Sequence, residues 1–239
     1  MKKSISLLVL LSLIFNMVIF SSCEKEEDLN IEISLAPGQL LSISSIFPKV
    51  SESKLTNFTS DNNSIVTIYK EKQIETLKPG KTKIHNGKCV ANITVEPYKG
   101  VVPYTLPSGI IPFVSEKEVV QLMMNYGNPT IGADFYRYTF CKVLTYRTST
   151  ESISYYFDEK GSYSDETRKL VFIVIEPSLA TSAVLAYLLT NYTLTSVNES
   201  GSVVNGNREF QTPDNWTIDT PNIPNTKPWQ YVRYIAPGY

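Results

Sequence analysis

Short segments that alternate apolar and polar residues fill the chain between residues 30 and 97, and turn signals separate them. An alternation with a period of two places successive side chains on opposite faces of a β-strand. No stretch in this region shows the apolar pattern of a helix. The region is therefore predicted to be a small all-β sandwich, with strands near residues 31–35, 41–47, 64–69, 82–84 and 88–95 and turns at 36–39, 61–63, 78–81 and 86–87.

The composition changes after this region. Of the 15 tyrosines, 14 lie from Tyr98 onward, and so do both tryptophans. Residues 98–114 contain Pro103, Pro107 and Pro112, and proline disfavours both a helix interior and a central strand. We therefore expect residues 98–114 to form a linker or lead-in, and residues 115–239 to form a separate domain.

The second domain is predicted to contain two helices and several strands. Ser115 can accept from the first turn of a helix, Glu118 completes a capping box, and Gly127 with Pro129 ends the helix. A second helix is expected to open at 176–178 and to end near 191–192. The strands are expected at 135–140, 142–146, 153–157, 169–175 (central), 203–204, 209–210, 216–218 and 229–235, which makes this an α+β domain with both helices packed on antiparallel sheet.

The two predicted helices end in segments of weakly similar sequence. Residues 122–126 (LMMNY) and 188–192 (LLTNY) lie 66 positions apart, and each segment ends a predicted helix and precedes strands. The domain is therefore interpreted either as two helix-plus-strands repeats or as one domain with a chance similarity.

The N-terminus has the parts of a secretory signal peptide. Lys2 and Lys3 precede an apolar run over residues 5–20, and Ser21-Ser22 precedes Cys23. The run of about 16 residues is shorter than the ~20 that a spanning helix needs. We predict that residues 1–22 are removed, which leaves 217 residues, enough for one large or two small domains.

The junction before Cys23 resembles a bacterial lipoprotein signal, which implies that Cys23 is lipidated and becomes the first mature residue. The acidic tether that follows, residues 23–29, contains the run EKEED. This run resembles the export signal that sends lipoproteins of Bacteroidetes-type bacteria to the outer face of the outer membrane. The implied location is the cell surface, with the chain held to the membrane through lipid. The alternatives are ordinary cleavage beside an incidental cysteine, and a periplasm-facing lipoprotein with a hydrophilic linker.

Within residues 30–97 the segments LAPGQ, FTSDNNSIVTI, LKPGKTKI and KCVANITVEP follow in order. This order resembles the bacterial immunoglobulin-like domains of group 2. Phe58 stands where that family commonly has tryptophan, and Val66 and Ile68 stand at its paired valines. The resemblance implies an immunoglobulin-like sandwich that serves as a spacer or adhesive module without an active site.

The segment SEKEVVQLMMNYGNPT and the strands after it are similar to the helix–strand–strand unit of small envelope lipoproteins and β-lactamase-inhibitor-like proteins. Gly127-x-Pro129 and Phe157-Asp158-x-x-Gly161 carry this likeness. The resemblance implies a role in binding other proteins or in scaffolding envelope complexes.

Charge and motifs exclude several classes of function. The chain has 22 basic and 23 acidic residues, and the mature chain keeps 20 basic residues after the loss of Lys2 and Lys3. A near-neutral chain gives no electrostatic case for nucleic-acid binding. The single histidine, His85, lies beside a predicted hairpin turn and is expected at the surface. No phosphate-binding loop, nucleophile elbow or zinc-protease motif occurs, so we expect no catalytic residue, no metal and no cofactor.

The remaining candidates for chemistry are two cysteines and a group of four acidic residues, and for each a structural role is favoured. Cys89 and Cys141 fall in different predicted domains without a C-x-x-C partner, so free buried thiols are favoured over the disulfide that an exported protein could form. Four acids lie near one turn but lack the spacing of a calcium loop, so a solvated hairpin is favoured: Asp158, Glu159, Asp165 and Glu166.

Trp216, Trp229 and Tyr231 are the candidate ligand-binding residues. Aromatic side chains on strands either pack in a core or present a platform for sugars or protein partners. The leading hypothesis is a non-catalytic lipoprotein that binds an unidentified protein or glycan at the outer membrane. The alternatives are a glycan-binding accessory of a polysaccharide-uptake system, and an enzyme or enzyme inhibitor of the cell envelope.

Overall fold

The computed structural model of the protein describes residues 29–102, 106–136, 139–148, 151–158, 164–177, 181–197, 202–203, 208–220 and 232–239. Strands predominate, and they form three sheets. Cys23, Trp229 and Tyr231 lie outside the described residues, as do the signal peptide and most of the acidic tether. No described helix has the length and apolar character needed to cross a membrane.

The N-terminal unit, residues 29–97, consists of two sheets around one core. Its strands are β1 (Leu29–Leu35), β2 (Leu40–Ser42), β3 (Thr59–Ser60), β4 (Val66–Tyr69), β5 (Gln73–Thr76), β6 (Gly80–His85) and β7 (Cys89–Val95). The sheet orders are β1-β7-β6-β3 and β2-β5-β4, and β1 pairs with β7 in parallel. Apolar residues from both sheets form a single buried cluster, so the alternation read from the sequence lines one shared core.

Two features of this unit differ from the prediction. A one-turn helix, α1 (Ile43–Ile46), replaces most of the strand expected at 41–47. Ser42 caps it by accepting from the Ser44 N–H at 3.1 Å, and Ile43 and Ile46 are both buried. Residues three apart share a helix face, so the apolar spacing suits this turn as well as a strand. Strand β5 was not predicted, because it contains the polar residue Glu75.

In its described residues, the C-terminal unit (106–239) contains one eight-stranded sheet and two α-helices. The helices are α2 (Glu116–Leu122) and α3 (Thr181–Asn191). The strands are β8 (Thr130–Tyr136), β9 (Thr139–Arg147), β10 (Glu151–Asp158), β11 (Lys169–Pro177), β12 (Thr193–Val197), β13 (Arg208–Gln211), β14 (Thr217–Thr220) and β15 (Val232–Ile235). The sheet order is β12-β13-β14-β15-β11-β10-β9-β8, and all its pairs are antiparallel.

This sheet is built from two halves with the same order of elements. The first half, residues 116–177, is α2 followed by the meander β8-β9-β10-β11, and the second half, residues 181–235, is α3 followed by β12-β13-β14-β15. The last strands of the two halves, β11 and β15, pair with each other. Both helices contribute buried residues to the core on one face of the sheet, including Val119, Met123, Val184 and Leu188.

The helix boundaries depend on local chemistry. The predicted capping box of α2 is present, with Ser115 and Glu118 each accepting from the backbone of the other. Gly127 stops the following turn at φ 84°, in the left-handed region that favours glycine. The described part of the second helix starts at Thr181, and residues 176–177 of the start predicted at 176–178 are instead the end of strand β11. Val203 is buried but lies in no strand, contrary to the strand expected at 203–204.

The two units are in direct contact through α3. Gly38, in the Pro-Gly turn between β1 and β2, approaches so closely that a Cβ atom there would lie 2.8 Å from the Leu185 side chain. Leu77 packs against the core of the C-terminal unit. The Tyr98 N–H donates to Thr190 Oγ1 at 3.0 Å. The lead-in also joins the sheet, because the Phe113 N–H donates to the Leu170 carbonyl at 2.8 Å.

Candidate ligand pocket

An aromatic pocket of 330 Å³ opens where three segments of the C-terminal unit meet. These segments are residues 106–111 of the lead-in, the C-terminal end of α3, and the turn at residues 212–216. Four aromatic side chains line the pocket: Tyr187, Tyr192, Trp216 and Tyr234. A volume of this size lies in the ordinary range for small-molecule sites, which are mostly apolar with a few convergent polar groups.

Tyr187 and Tyr192 are held by each other and by the lead-in. The Tyr187 ring packs edge-to-face against Tyr192 at 6.1 Å and against Tyr98 at 6.3 Å between ring centroids. Burial raises the pKa of Tyr187, and a hydrogen bond to the Tyr192 hydroxyl raises it further. The Tyr187 phenol therefore stays neutral at physiological pH. Both tyrosines offer this pocket an apolar ring and a polar hydroxyl.

Trp216 forms the floor of the pocket. It is only 1% exposed, its indole Nε1–H donates to the Ile110 carbonyl at 3.4 Å, and its ring packs edge-to-face against Tyr234 at 6.2 Å. Thr212 fixes the turn by accepting from the Trp216 N–H at 3.0 Å. Trp216 is therefore not the open stacking platform that the sequence suggested, because its indole is buried in the core of the C-terminal unit.

The polar groups of the pocket lie at its mouth. Asp214 and Ser108 are exposed lining residues, and Thr212 is a buried one. Asp214 is the single carboxylate among the described lining residues. A glycosidase places two carboxylates across the scissile bond, so this set of residues fits ligand binding better than hydrolysis.

A larger cavity of 580 Å³ lies on the outer face of the sheet β1-β7-β6-β3. Cross-strand neighbours Glu32, Asn92 and Lys83 form one row across this face, and Lys81 stands opposite Thr94. None of the described residues that line this cavity is aromatic. Its charged side chains are exposed to water, so they contribute little net binding energy to a small ligand.

Two buried carboxylates were not singled out from the sequence. Glu116, 4% exposed, meets Lys142 at 2.5 Å and Arg168 at 2.8 Å. Glu75, 0% exposed, reaches from the N-terminal unit into the second half of the sheet, where it accepts from the Ser202 hydroxyl and, at 2.9 Å, from the Val203 N–H. The sequence does not indicate their burial, because their partners are distant in the chain: Arg168 lies 52 residues from Glu116, and Ser202 lies 127 residues from Glu75.

Glu75 also acts on a buried cation. Arg208 is 1% exposed, and its Nε donates to the Val203 carbonyl. Burial lowers the pKa of Arg208 to about 10, and the nearby Glu75 carboxylate opposes that shift. Carboxylate and guanidinium therefore stabilise each other at the contact between the two units.

The histidine and the described acidic residues considered as candidate sites from the sequence do not line the pocket. His85 is partly exposed and pairs with Asp61 at 3.0 Å. Asp158 accepts from the Tyr239 hydroxyl at 2.5 Å, and Glu166 pairs with Lys117 at 2.7 Å. Glu159 lies outside the described residues. The described part of the chain contains no group of three or more His, Cys, Asp or Glu residues placed to hold a metal ion.

Cys89 and Cys141 are both buried, and no disulfide joins them. The interpretation favoured from the sequence, two separate thiols rather than a disulfide, is therefore the state found in the structure. Cys89 belongs to the core of the N-terminal unit, and Cys141 to a smaller apolar cluster on the second face of the eight-stranded sheet.

Comparison with known proteins does not assign the chain to a family. The sequence matches no protein-family model, and the search of curated proteins finds no similar sequence. The function is therefore argued from the pocket and from the sequence features themselves.

Proposed function

We propose that this protein is a non-catalytic, lipid-anchored binding protein of the outer membrane whose ligand occupies the aromatic pocket. The observation that carries the proposal is the preformed cavity of 330 Å³ that Tyr187, Tyr192, Trp216 and Tyr234 line. The part-exposed rings of Tyr187 and Tyr192 and the polar groups at the mouth give it both the apolar surface and the hydrogen-bonding groups of a ligand site.

The anchor is proposed from the sequence. Cys23 follows a lipoprotein-type signal, and its acyl chains would each contribute about 0.8 kcal/mol per buried methylene to membrane attachment. The acidic run after Cys23 supports exposure at the cell surface. The N-terminal unit would then be an immunoglobulin-like spacer next to the membrane. The parallel pairing of β1 with β7, and two sheets around one core, support that assignment.

A carbohydrate is the ligand class that the pocket favours, which supports a glycan-capture role in polysaccharide uptake. Aromatic rings pack against the apolar faces of sugars, while hydroxyl and carboxylate groups at the mouth can bond to sugar hydroxyls. Among the described lining residues the one charged group is the exposed carboxylate of Asp214, so a neutral ligand fits better than a strongly charged one.

Glycan-array binding of the mature chain with Cys23→Ala tests the ligand proposal. We expect defined glycan hits for this chain, with at least tenfold weaker binding for the added change Tyr192→Ala. The added change Lys81→Ala, on the outer face of the N-terminal sheet, is the matched control and should leave binding unchanged. A folded chain that binds no glycan would contradict the carbohydrate assignment.

Membrane fractionation tests the anchor separately. Cys23→Ala should move the protein from the membrane to the soluble fraction, because the chain loses its acyl groups. Unchanged fractionation would refute lipid attachment and leave the ligand proposal standing.

A further inference from the structure

A second cavity adjoins the aromatic pocket. It measures 490 Å³ and lies between the two units, with walls from residues 77–79 and Ser64 of the N-terminal unit and from residues 189–194 of the C-terminal unit. Tyr192 lines both this interdomain cavity and the aromatic pocket. The two cavities therefore share one lining residue, which lies just beyond the last residue of α3.

The two cavities differ in chemistry. Among the residues that the structure describes, Tyr192 is the one aromatic residue in the lining of the interdomain cavity, and the exposed lining residues are polar: Ser64, Lys78, Asn191 and Thr193. Hydroxyl, amide and ammonium groups can bond to the hydroxyls of a carbohydrate. Each cavity also contains one exposed charge of opposite sign, Asp214 in the pocket and Lys78 between the units, so the pair suits a ligand without net charge.

Contacts around the interdomain cavity hold its two walls together. Glu75 bonds to Ser202 and Val203 across the units, and Gly38 lies against Leu185. The Tyr98 N–H also bonds to Thr190, a residue of the cavity wall. A cavity whose walls are fixed in this way is preformed, which lowers the entropy that a ligand loses on binding.

We propose that the two cavities are neighbouring subsites of one groove, and that the ligand is an unbranched, neutral oligosaccharide that crosses Tyr192. One sugar occupies the aromatic pocket, and the next sugars of the chain lie between the two units. This inference rests on the proposed function, because it extends the carbohydrate site of the aromatic pocket by a second subsite.

Titration calorimetry with xylo-, manno- and malto-oligosaccharides of one to six sugars tests the groove. The protein is the mature chain with Cys23→Ala. We expect affinity for one of these series to rise at least tenfold from the shortest ligand that binds to the longest, because additional sugars reach the interdomain cavity. Affinity that is independent of length would overturn the inference.

A matched pair of variants locates the added subsite. Thr193 and Thr195 are both exposed on β12, but only Thr193 lines the interdomain cavity. Thr193→Trp should fill that cavity and remove the gain from chain length, while leaving the shortest binding ligand unaffected. Thr195→Trp should keep the gain. Equal behaviour of the two variants would contradict the groove.

A third variant separates this inference from the proposed function. Ser108→Trp fills the mouth of the aromatic pocket and should weaken short and long ligands alike. If Ser108→Trp removes the binding of short ligands, but affinity does not depend on ligand length in the unchanged pocket, the groove is overturned and the carbohydrate site stands. The absence of binding for every series would overturn both the groove and the carbohydrate site.

Discussion

The two halves of the eight-stranded sheet use their helices differently. Helix α3 of the second half lies between the sheet and the N-terminal unit, and five of its residues are buried: Val184, Leu185, Ala186, Leu188 and Leu189. Helix α2 of the first half packs on the same face of the sheet but keeps its outer side open, with Val120 40% and Leu122 37% exposed. The two halves therefore have the same order of elements, but their helices pack against different neighbours.

This difference explains the sequences of the two helices. A helix that is covered on two sides is apolar around most of its circumference, as α3 is, whereas α2 has charged residues in its first turn and a capping box. It also explains why the pocket belongs to the second half. The lead-in residues 106–111 and the turn at 212–216 close around the C-terminal end of α3, and that closure creates the concave surface that a ligand needs.

The largest effect is expected at the buried carboxylate of the first half. Glu116→Ala would remove the counter-charge of two largely buried cations, Lys142 and Arg168. We expect a loss of about 3–5 kcal/mol in the free energy of unfolding, as for other broken buried ion pairs. Chemical denaturation measures it, and Glu166→Ala, which breaks an exposed pair, should cost less than about 1 kcal/mol. Similar losses for the two variants would show that Glu116 is not essential to this half.

Glu75→Ala should act on the contact of the second half with the N-terminal unit. Two buried donors, the Ser202 hydroxyl and the Val203 N–H, would lose their acceptor. We expect a loss of about 3 kcal/mol and a thermal transition that divides into two, because the two units no longer unfold together. Calorimetry detects the division. Glu209→Ala, an exposed neighbour of Arg208, should keep one transition, and a single transition in Glu75→Ala would contradict the coupling.

A smaller effect is expected where the N-terminal unit touches α3. Gly38 has φ 75°, and a Cβ atom there would meet the Leu185 side chain at 2.8 Å. Gly38→Ala should therefore lower the free energy of unfolding by about 1–3 kcal/mol, through backbone strain and overpacking. Gly87→Ala, also at positive φ but with open space around it, separates the two causes. An equal loss in both variants would remove the contact with α3 as a cause.

The smallest effect is expected at the N-cap of α2, Ser115. Ser115→Ala should cost about 1 kcal/mol, the usual value for a lost N-cap, and denaturation measures it. Ser115 hydrogen bonds lower the pKa of Glu118, so the ionised carboxylate stabilises the fold above its unfolded pKa, and this stability is lost as the pH falls through the lowered folded pKa. An NMR titration of Ser115→Ala should place the Glu118 pKa higher than in the natural chain, and an unmoved value would contradict the capping box.

Local signals predicted several elements from the sequence. The capping box of α2, the central strand β11 and most strands of the N-terminal unit follow from side-chain hydrogen bonding, apolar content and period-two alternation. These signals involve residues close together in the chain. The predicted start of α3 was wrong at residues 176–177 for a related reason. Glu176-Pro177 suits a helix start locally, but these residues form the end of strand β11, which pairs with β10.

The pocket could be predicted only in part. Its aromatic content was visible, and Trp216 was selected, but Tyr187 and Tyr192 were read as helix and helix end. Their role depends on the lead-in residues 106–111 and the turn at 212–216, which are distant in sequence and come together only in the fold. Glu75 was missed for the same reason, because its partners lie 127 and 128 residues away.

The central claim is that a ligand binds the aromatic pocket rather than the larger polar cavity of the N-terminal unit. The most direct test is a ¹H–¹⁵N NMR titration of the mature Cys23→Ala chain with the strongest glycan from the array. The account predicts that the Trp216 indole N–H and the backbone amides of Ile110 and Tyr192 shift, while those of Lys81 and Asn92 stay in place. Shifts centred on Lys81 and Asn92, with an unchanged indole signal, would contradict it.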